Sequence, residues 1–238
     1  MPGSGLTAAE RRARLTGLYA IVGGERAVGQ AEAAIDGGAA VVQVRMKAAP
    51  PAEVLEVARR VVAAARGRAL VLVNDRADLA LLSGADGVHV GEEDLPVGEC
   101  RALLGPDRLV GWTAKTVAEA REGVRAGADH VGFGPVFVSR TKAMGPPPHG
   151  VEGLAQAVRA LRPVPIVAIS GIGLDNIAAV ARAGAASAAV IEAIFGAGDP
   201  RANAAALRQA FEAGAKRRGA EAGAQRGAGE PGRPDGRE

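Results

Sequence analysis

The chain has 238 residues, a formal net charge of +3, and a composition that is 48% hydrophobic but only 3% aromatic. That length fits one large α/β domain or two small ones, and the composition leaves Ala, Val, Leu and Ile to build a core of parallel strands buried on both faces. No apolar run reaches the ~18 residues of a membrane span, and the single cysteine, Cys100, excludes an intrachain disulfide, so a reducing cytoplasm is the expected home.

Residues 1–14 lack the apolar stretch of a secretion signal and read as a polar N-terminal leader. From there short apolar runs alternate with amphipathic segments. The runs at 18–22, 41–45, 69–74, 87–90, 109–113, 130–136, 165–170 and 187–192 predict strands, and the patterns at 51–66, 117–126, 174–183 and 200–213 predict helices between them. Eight strands with intervening helices over residues 15–214 point to a single (β/α)8 barrel. Gly38-Ala39, Gly84-Ala85, Gly127-Ala128 and Gly184-Ala185 each end a helical segment just before an even-numbered strand, as glycine does at a helix stop. A doubly wound open sheet is the alternative, but no GxGxxG opens a helix after the first strand. Residues 215–238 hold no Val, Ile, Leu, Met or aromatic residue and are expected to be a disordered C-terminal tail. The tail has six basic and four acidic residues, which is +2 of the chain's +3. The body is therefore near neutral, and neither nucleic acid nor membrane is expected as a partner despite a pI near 9.5.

In such a barrel the chemistry sits at the C-terminal ends of the strands. The second strand ends in Gln43, Val44, Arg45, Met46 and Lys47, and alternation sends Gln43, Arg45 and Lys47 to one side. Such a face meets an anion or is a solvated strand end. Asn74 and Asp75 end the third strand and Asp94 follows the fourth. The two carboxylates are candidates to share a magnesium ion, although Asp75 is also placed to cap a helix and Asp94 to begin a turn. After the sixth strand, Ser139, Arg140, Thr141 and Lys142 lie in a long segment that is either a phosphate-binding lid or an ordinary loop. Ser170, Gly171 and Ile172 after the seventh strand offer backbone N–H groups for a phosphate. No Ser-His-Asp or Cys-His arrangement is evident. His89 and His130 lie within predicted strands and read as structural, whereas His149 stays undecided. Phosphate machinery without an acid–base pair points to departure of a pyrophosphate.

From about residue 18 to 195 the chain resembles thiamine-phosphate synthase. The resemblance rests on an ordered set: QVRMK at 43–47, NDRADLA at 74–80, GVHVGEEDLP at 87–96, GADHVGFGPVF at 127–137, TK at 141–142 and GI at 171–172. It implies a magnesium-dependent transferase that joins hydroxymethylpyrimidine diphosphate to hydroxyethylthiazole phosphate, or its carboxylated form, giving thiamine phosphate and pyrophosphate. Gln43, Arg45, Lys47, Asn74, Thr113 and Lys142 would hold the pyrimidine diphosphate, and Asp75 and Asp94 the magnesium. Ser139, Thr141, Gly171, Ile191 and Glu192 would face the thiazole phosphate. Thr113 matches a family serine, and Ser139 with Thr141 a pair of threonines, so the hydroxyls survive. Two positions depart from the pattern. Ser170-Gly171 replaces a pair of glycines, and Ile191-Glu192 replaces Val-Ser, setting a carboxylate where the family has a hydroxyl. At 4 Å from a phosphate charge it would be repelled by about 4 kcal/mol at an effective dielectric of 20. The other readings are a thiazole tautomerase, whose catalytic histidine would fall near Lys115, and a non-catalytic barrel that binds phosphorylated ligands.

Overall fold

A computed structural model describes residues 6–138 and 147–227. Eight parallel strands pair in chain order and close on themselves: β1 (Gly17–Val22), β2 (Val41–Val44), β3 (Leu70–Asn74), β4 (Gly87–Val90), β5 (Leu109–Ala114), β6 (His130–Phe133), β7 (Ile166–Ala168) and β8 (Ser187–Val190). The closing pair is β8 on β1, with Ser187 opposite Gly17. Around the barrel run α1 (Ala8–Ala13), α2 (Ala27–Asp36), α3 (Pro51–Ala65), α4 (Ala77–Ser83), α5 (Val97–Leu104), α6 (Val117–Arg125), α7 (Gly150–Leu161), α8 (Ile177–Ala183), α9 (Glu192–Phe195) and α10 (Pro200–Gly227). The (β/α)8 expectation therefore holds, and the open sheet is excluded by the β1–β8 pairing.

Alternation sorts each strand into two faces. Outward Val, Ala and Ile residues such as Val42, Val71, Val88 and Val131 pack under the helices in two large clusters. Inward Tyr19, Val41, Leu70, Leu72, Leu109, Val167 and Ala189 fill the barrel, with Leu15 completing the cluster from the N-terminal side. The Gly-Ala repeat does what its position predicts. Gly38, Gly84, Gly127 and Gly184 all take left-handed φ between 77° and 106°. The N–H of Ala39, Ala85 and Ala128 returns to the carbonyl five residues earlier, the Schellman closure of a helix end.

Several boundaries differ from the sequence pattern, three of them with consequences for packing. β6 stops at Phe133, since Pro135 has no N–H to continue a ladder. Val136 stays buried and bonds to the Ile169 carbonyl. β8 stops at Val190, and Ile191 turns outward, 48% exposed. At the C-terminus, α10 carries the chain beyond the expected limit at residue 214. Ala215 packs against the core and Arg218 lies over Gly184, so residues 215–227 are helical where disorder is expected. Ten of these thirteen residues are Ala, Lys, Arg, Glu or Gln, good helix formers, against Gly219, Gly223 and Gly227, and a helix already docked extends through them without apolar side chains. Residues 228–238 lie outside the described part.

The segment read as a leader is also docked. Thr7 caps α1, reciprocated by Glu10. Arg11, only 4% exposed, donates to Asp86 at 3.0 Å, and Arg12 donates to Asp129 at 2.7 Å. Asp86 and Asp129 precede β4 and β6 and also accept the N–H groups of Val71 and Val110. The N-terminal helix thus ties the bottom of the barrel at two even-numbered strands, opposite the mouth.

Candidate active site

At the C-terminal mouth lies a cavity of about 420 Å³. Its walls take Gln43, Arg45 and Lys47 from β2 and its end, Asn74 and Asp75 from the end of β3, Asp94 after β4, and Thr113 from β5. Seven of the residues singled out by sequence thus converge on one space. His89, which the sequence pattern read as structural, lines it as well, as does Tyr19 from β1.

Gln43 is 3% exposed, and its amide nitrogen donates to the Tyr19 hydroxyl at 2.7 Å. That bond orients the amide and leaves its oxygen and second N–H for a ligand. Burial pushes the Tyr19 phenol well above its ordinary range, so it stays protonated. Asp75 sits at φ 63°, a left-handed turn that aims its carboxylate into the mouth. Lys47 reaches it at 3.2 Å. Burial, then the neighbouring Asp94, raises the Asp75 carboxyl above the usual range, with Lys47 opposing. Two carboxylates therefore meet across one space. Asp94 is fixed in turn by the Gly91 N–H at 2.8 Å.

On the far side of the mouth, Gly171 also has left-handed φ, and a side chain there would strike Phe137 and the Val138 carbonyl. Asn176 brackets this loop, accepting from Gly173 N–H and donating to the Gly171 carbonyl, each at 3.0 Å. Ile191 and Glu192 open α9 at the end of neighbouring β8. Neither these two nor Gly171 lines the cavity. The Glu192 carboxylate folds back along its own helix onto Gly196. Ser139, Thr141 and Lys142 lie outside the described residues. Lys115, where a tautomerase would need histidine, is on the rim and pairs with Glu92 at 2.6 Å.

His130 is fully buried and His89 nearly so. His149 packs its ring on Phe133, with centroids 4.8 Å apart, outside the cavity lining. An inward polar residue at a mouth position is a readable signal, and His89 carries it two residues after inward Gly87 on β4.

A parallel barrel with a cation-lined mouth, facing carboxylates and a separate glycine loop belongs to the barrels that handle phosphorylated ligands. Within that class the chain is a member of the thiamine monophosphate synthase family, whose model matches residues 18–194. A thiamine-phosphate synthase of Anaeromyxobacter dehalogenans is 66% identical over 206 residues, 87% of this chain and 92% of the relative. Another from Myxococcus xanthus is 52% identical over 188 residues, covering 79% of this chain and 86% of that one. Among solved structures, a thiamine phosphate pyrophosphorylase from Pyrococcus furiosus superposes with a TM-score of 0.77 at 35% identity, over 85% of this chain and 98% of that one. A 3-hexulose-6-phosphate synthase at 24% identity and TM-score 0.66 shares the fold.

Proposed function

We propose that the family's reaction, condensation of hydroxymethylpyrimidine diphosphate with hydroxyethylthiazole phosphate to thiamine phosphate and pyrophosphate, runs in this mouth cavity. The observation that carries the reading is the convergence of Gln43, Arg45, Lys47, Asn74, Asp75, Asp94 and Thr113 on one space. Gln43, held by Tyr19, reads the pyrimidine edge. Arg45, Lys47, Asn74 and Thr113 seat the diphosphate, joined by Lys142 from the segment after β6. Gly171 marks a separate seat for the thiazole phosphate, to which the resemblance also assigns Ser139 and Thr141.

The residues fit a magnesium ion. Asp75 and Asp94 are hard oxygen donors whose mutual repulsion is only partly offset by Lys47, and magnesium commonly takes one or two carboxylates together with phosphate oxygens and water. Among the described residues no group of three or more His, Cys, Asp or Glu assembles, so diphosphate oxygens and water would supply the remaining ligands. When bound there, the ion supplies positive charge against the leaving diphosphate.

Arg45 and Lys47 offset the charge that builds on the departing pyrophosphate, and the pyrimidine methylene becomes cationic. The thiazole nitrogen then attacks that carbon. The side chains hold the two substrates in line and stabilise charge, and no general base is required. No described helix is long and apolar enough to cross a membrane. The single cysteine, Cys100, is buried and free, in keeping with a cytoplasmic setting.

The test incubates the protein with both phosphorylated substrates and measures thiamine phosphate and pyrophosphate, with magnesium and with excess chelator. Stoichiometric formation of both products, lost in chelator, is expected. Full turnover in chelator would remove the magnesium assignment, and no turnover with magnesium would remove the reaction.

A further inference from the structure

Below the diphosphate seat, three polar side chains on β4, β5 and β6 form a line into the barrel. His89 Nε2 is 2.8 Å from Thr113 Oγ1, and His89 Nδ1 is 3.3 Å from His130 Nε2. Space has been cleared for this line. A side chain at Gly111 would collide with both imidazoles, and one at Gly132 would press on His89 at 3.1 Å. Both rings are buried, an environment that favours the neutral imidazole. A neutral imidazole has one N–H and one bare nitrogen, so every link in the line has a direction.

The direction is set at the buried end. His130 is fully buried, and its Nδ1 has no hydrogen-bond partner among the described residues. A proton on that nitrogen would be a buried donor with nothing to accept it, which costs about 1–3 kcal/mol. The proton therefore sits on Nε2 and is donated to His89 Nδ1. His89 must then carry its own proton on Nε2 and donate it to Thr113. With an oxygen lone pair engaged by His89, the Thr113 hydroxyl is left with its proton free for the cavity. In the opposite direction Thr113 would spend its proton on His89 and turn only lone pairs toward an anion.

We propose that His130 and His89 are positioning residues that fix the Thr113 hydroxyl as a donor to the substrate diphosphate. This rests on the reading that Thr113 seats that group. The tautomers are measurable in the native chain, which has only three histidines, by two-bond ¹⁵N–¹H correlation spectra. Both His89 and His130 should be protonated on Nε2, and an Nδ1 proton on either ring overturns the proposal. Kinetics test the consequence. His130→Phe should lower kcat/KM for the pyrimidine diphosphate about tenfold, the scale of one hydrogen bond to a charged group, while leaving KM for thiazole phosphate unchanged. His130→Gln, which restores an N–H, should recover most of the loss. In a Thr113→Val background, His130→Phe should add nothing. An equal loss in both backgrounds would show a merely structural histidine and overturn the relay. Thr113→Val with unchanged kinetics would instead overturn the diphosphate seat, and the relay's function with it. If His130→Phe does not fold, the tautomers of the native chain still decide.

Discussion

Ser170 takes a φ of 78° at the mouth end of β7, a conformation that costs a residue with a Cβ about 1–2 kcal/mol. Glycine, which the resemblance places at this position, carries no such cost. Ser170→Gly should raise stability by about 0.5–1 kcal/mol once the greater freedom of glycine in the unfolded chain is deducted, read as a shift in urea midpoint at constant slope. Glu192 is the second departure. Sequence alone sets a carboxylate beside the thiazole phosphate, but the side chain is exposed and turned onto Gly196. Glu192→Ser should therefore change KM for thiazole phosphate by no more than about twofold, as befits a solvent-screened charge. A several-fold rise would make the carboxylate a working part of the site. Neither backbone φ nor the turn of a side chain is legible at these positions, because both depend on what the neighbouring loop leaves room for.

Among the elements, α1 and the end of α10 are both polar in sequence, yet they differ in what they touch. α1 brings buried Arg11 to Asp86 at 3.0 Å, with side-chain exposures of 5% and 14%. Breaking a buried ion pair by removing one partner costs about 3–5 kcal/mol. Deleting residues 1–14 should thus lower stability by about 3 kcal/mol or more, detectable as a large drop in thermal midpoint, with the barrel-bottom cluster around Leu15 uncovered. Deleting residues 228–238 should leave the midpoint and the turnover unchanged, since that stretch has no Val, Ile, Leu, Met or aromatic side chain to bury. A truncation at 214 falls between the two, because it removes Ala215 from the core and Arg218 from Gly184.

For the whole molecule the buried histidines set a dependence on pH. The folded chain holds His89 at about 4, against about 6.5 for an exposed imidazole. As pH falls below about 6.5 the unfolded chain binds a proton that the folded chain does not, so the equilibrium moves toward unfolding. Stability should fall between about pH 6.5 and 4 by roughly 3 kcal/mol for His89 alone, and His130 acts in the same direction. Urea titrations across that window should show the decline, with a shallower slope in His130→Phe. An unchanged slope in that variant would show that the buried ring does not contribute.

Period and punctuation carried the architecture. Eight apolar runs alternating with amphipathic segments, and four Gly-Ala stops before the even strands, leave little room for any other fold. Local order along a strand also carried half of the site. Gln43, Arg45 and Lys47 alternate on one face whatever surrounds them, and Asn74, Asp75, Asp94 and Thr113 stand at strand ends that a barrel must bring to one mouth. The tertiary structure decided what depends on residues distant in the chain. The pairing of Asp75 with Lys47, the bond of Gln43 to Tyr19, and the docking of α1 through Asp86 and Asp129 all join separate strands. So does the line from His130 through His89 to Thr113, which exists because the pairing of β4, β5 and β6 sets glycines on β5 and β6 beside histidines on β4 and β6. A sequence shows which face a side chain takes; only the closed barrel determines what it meets there.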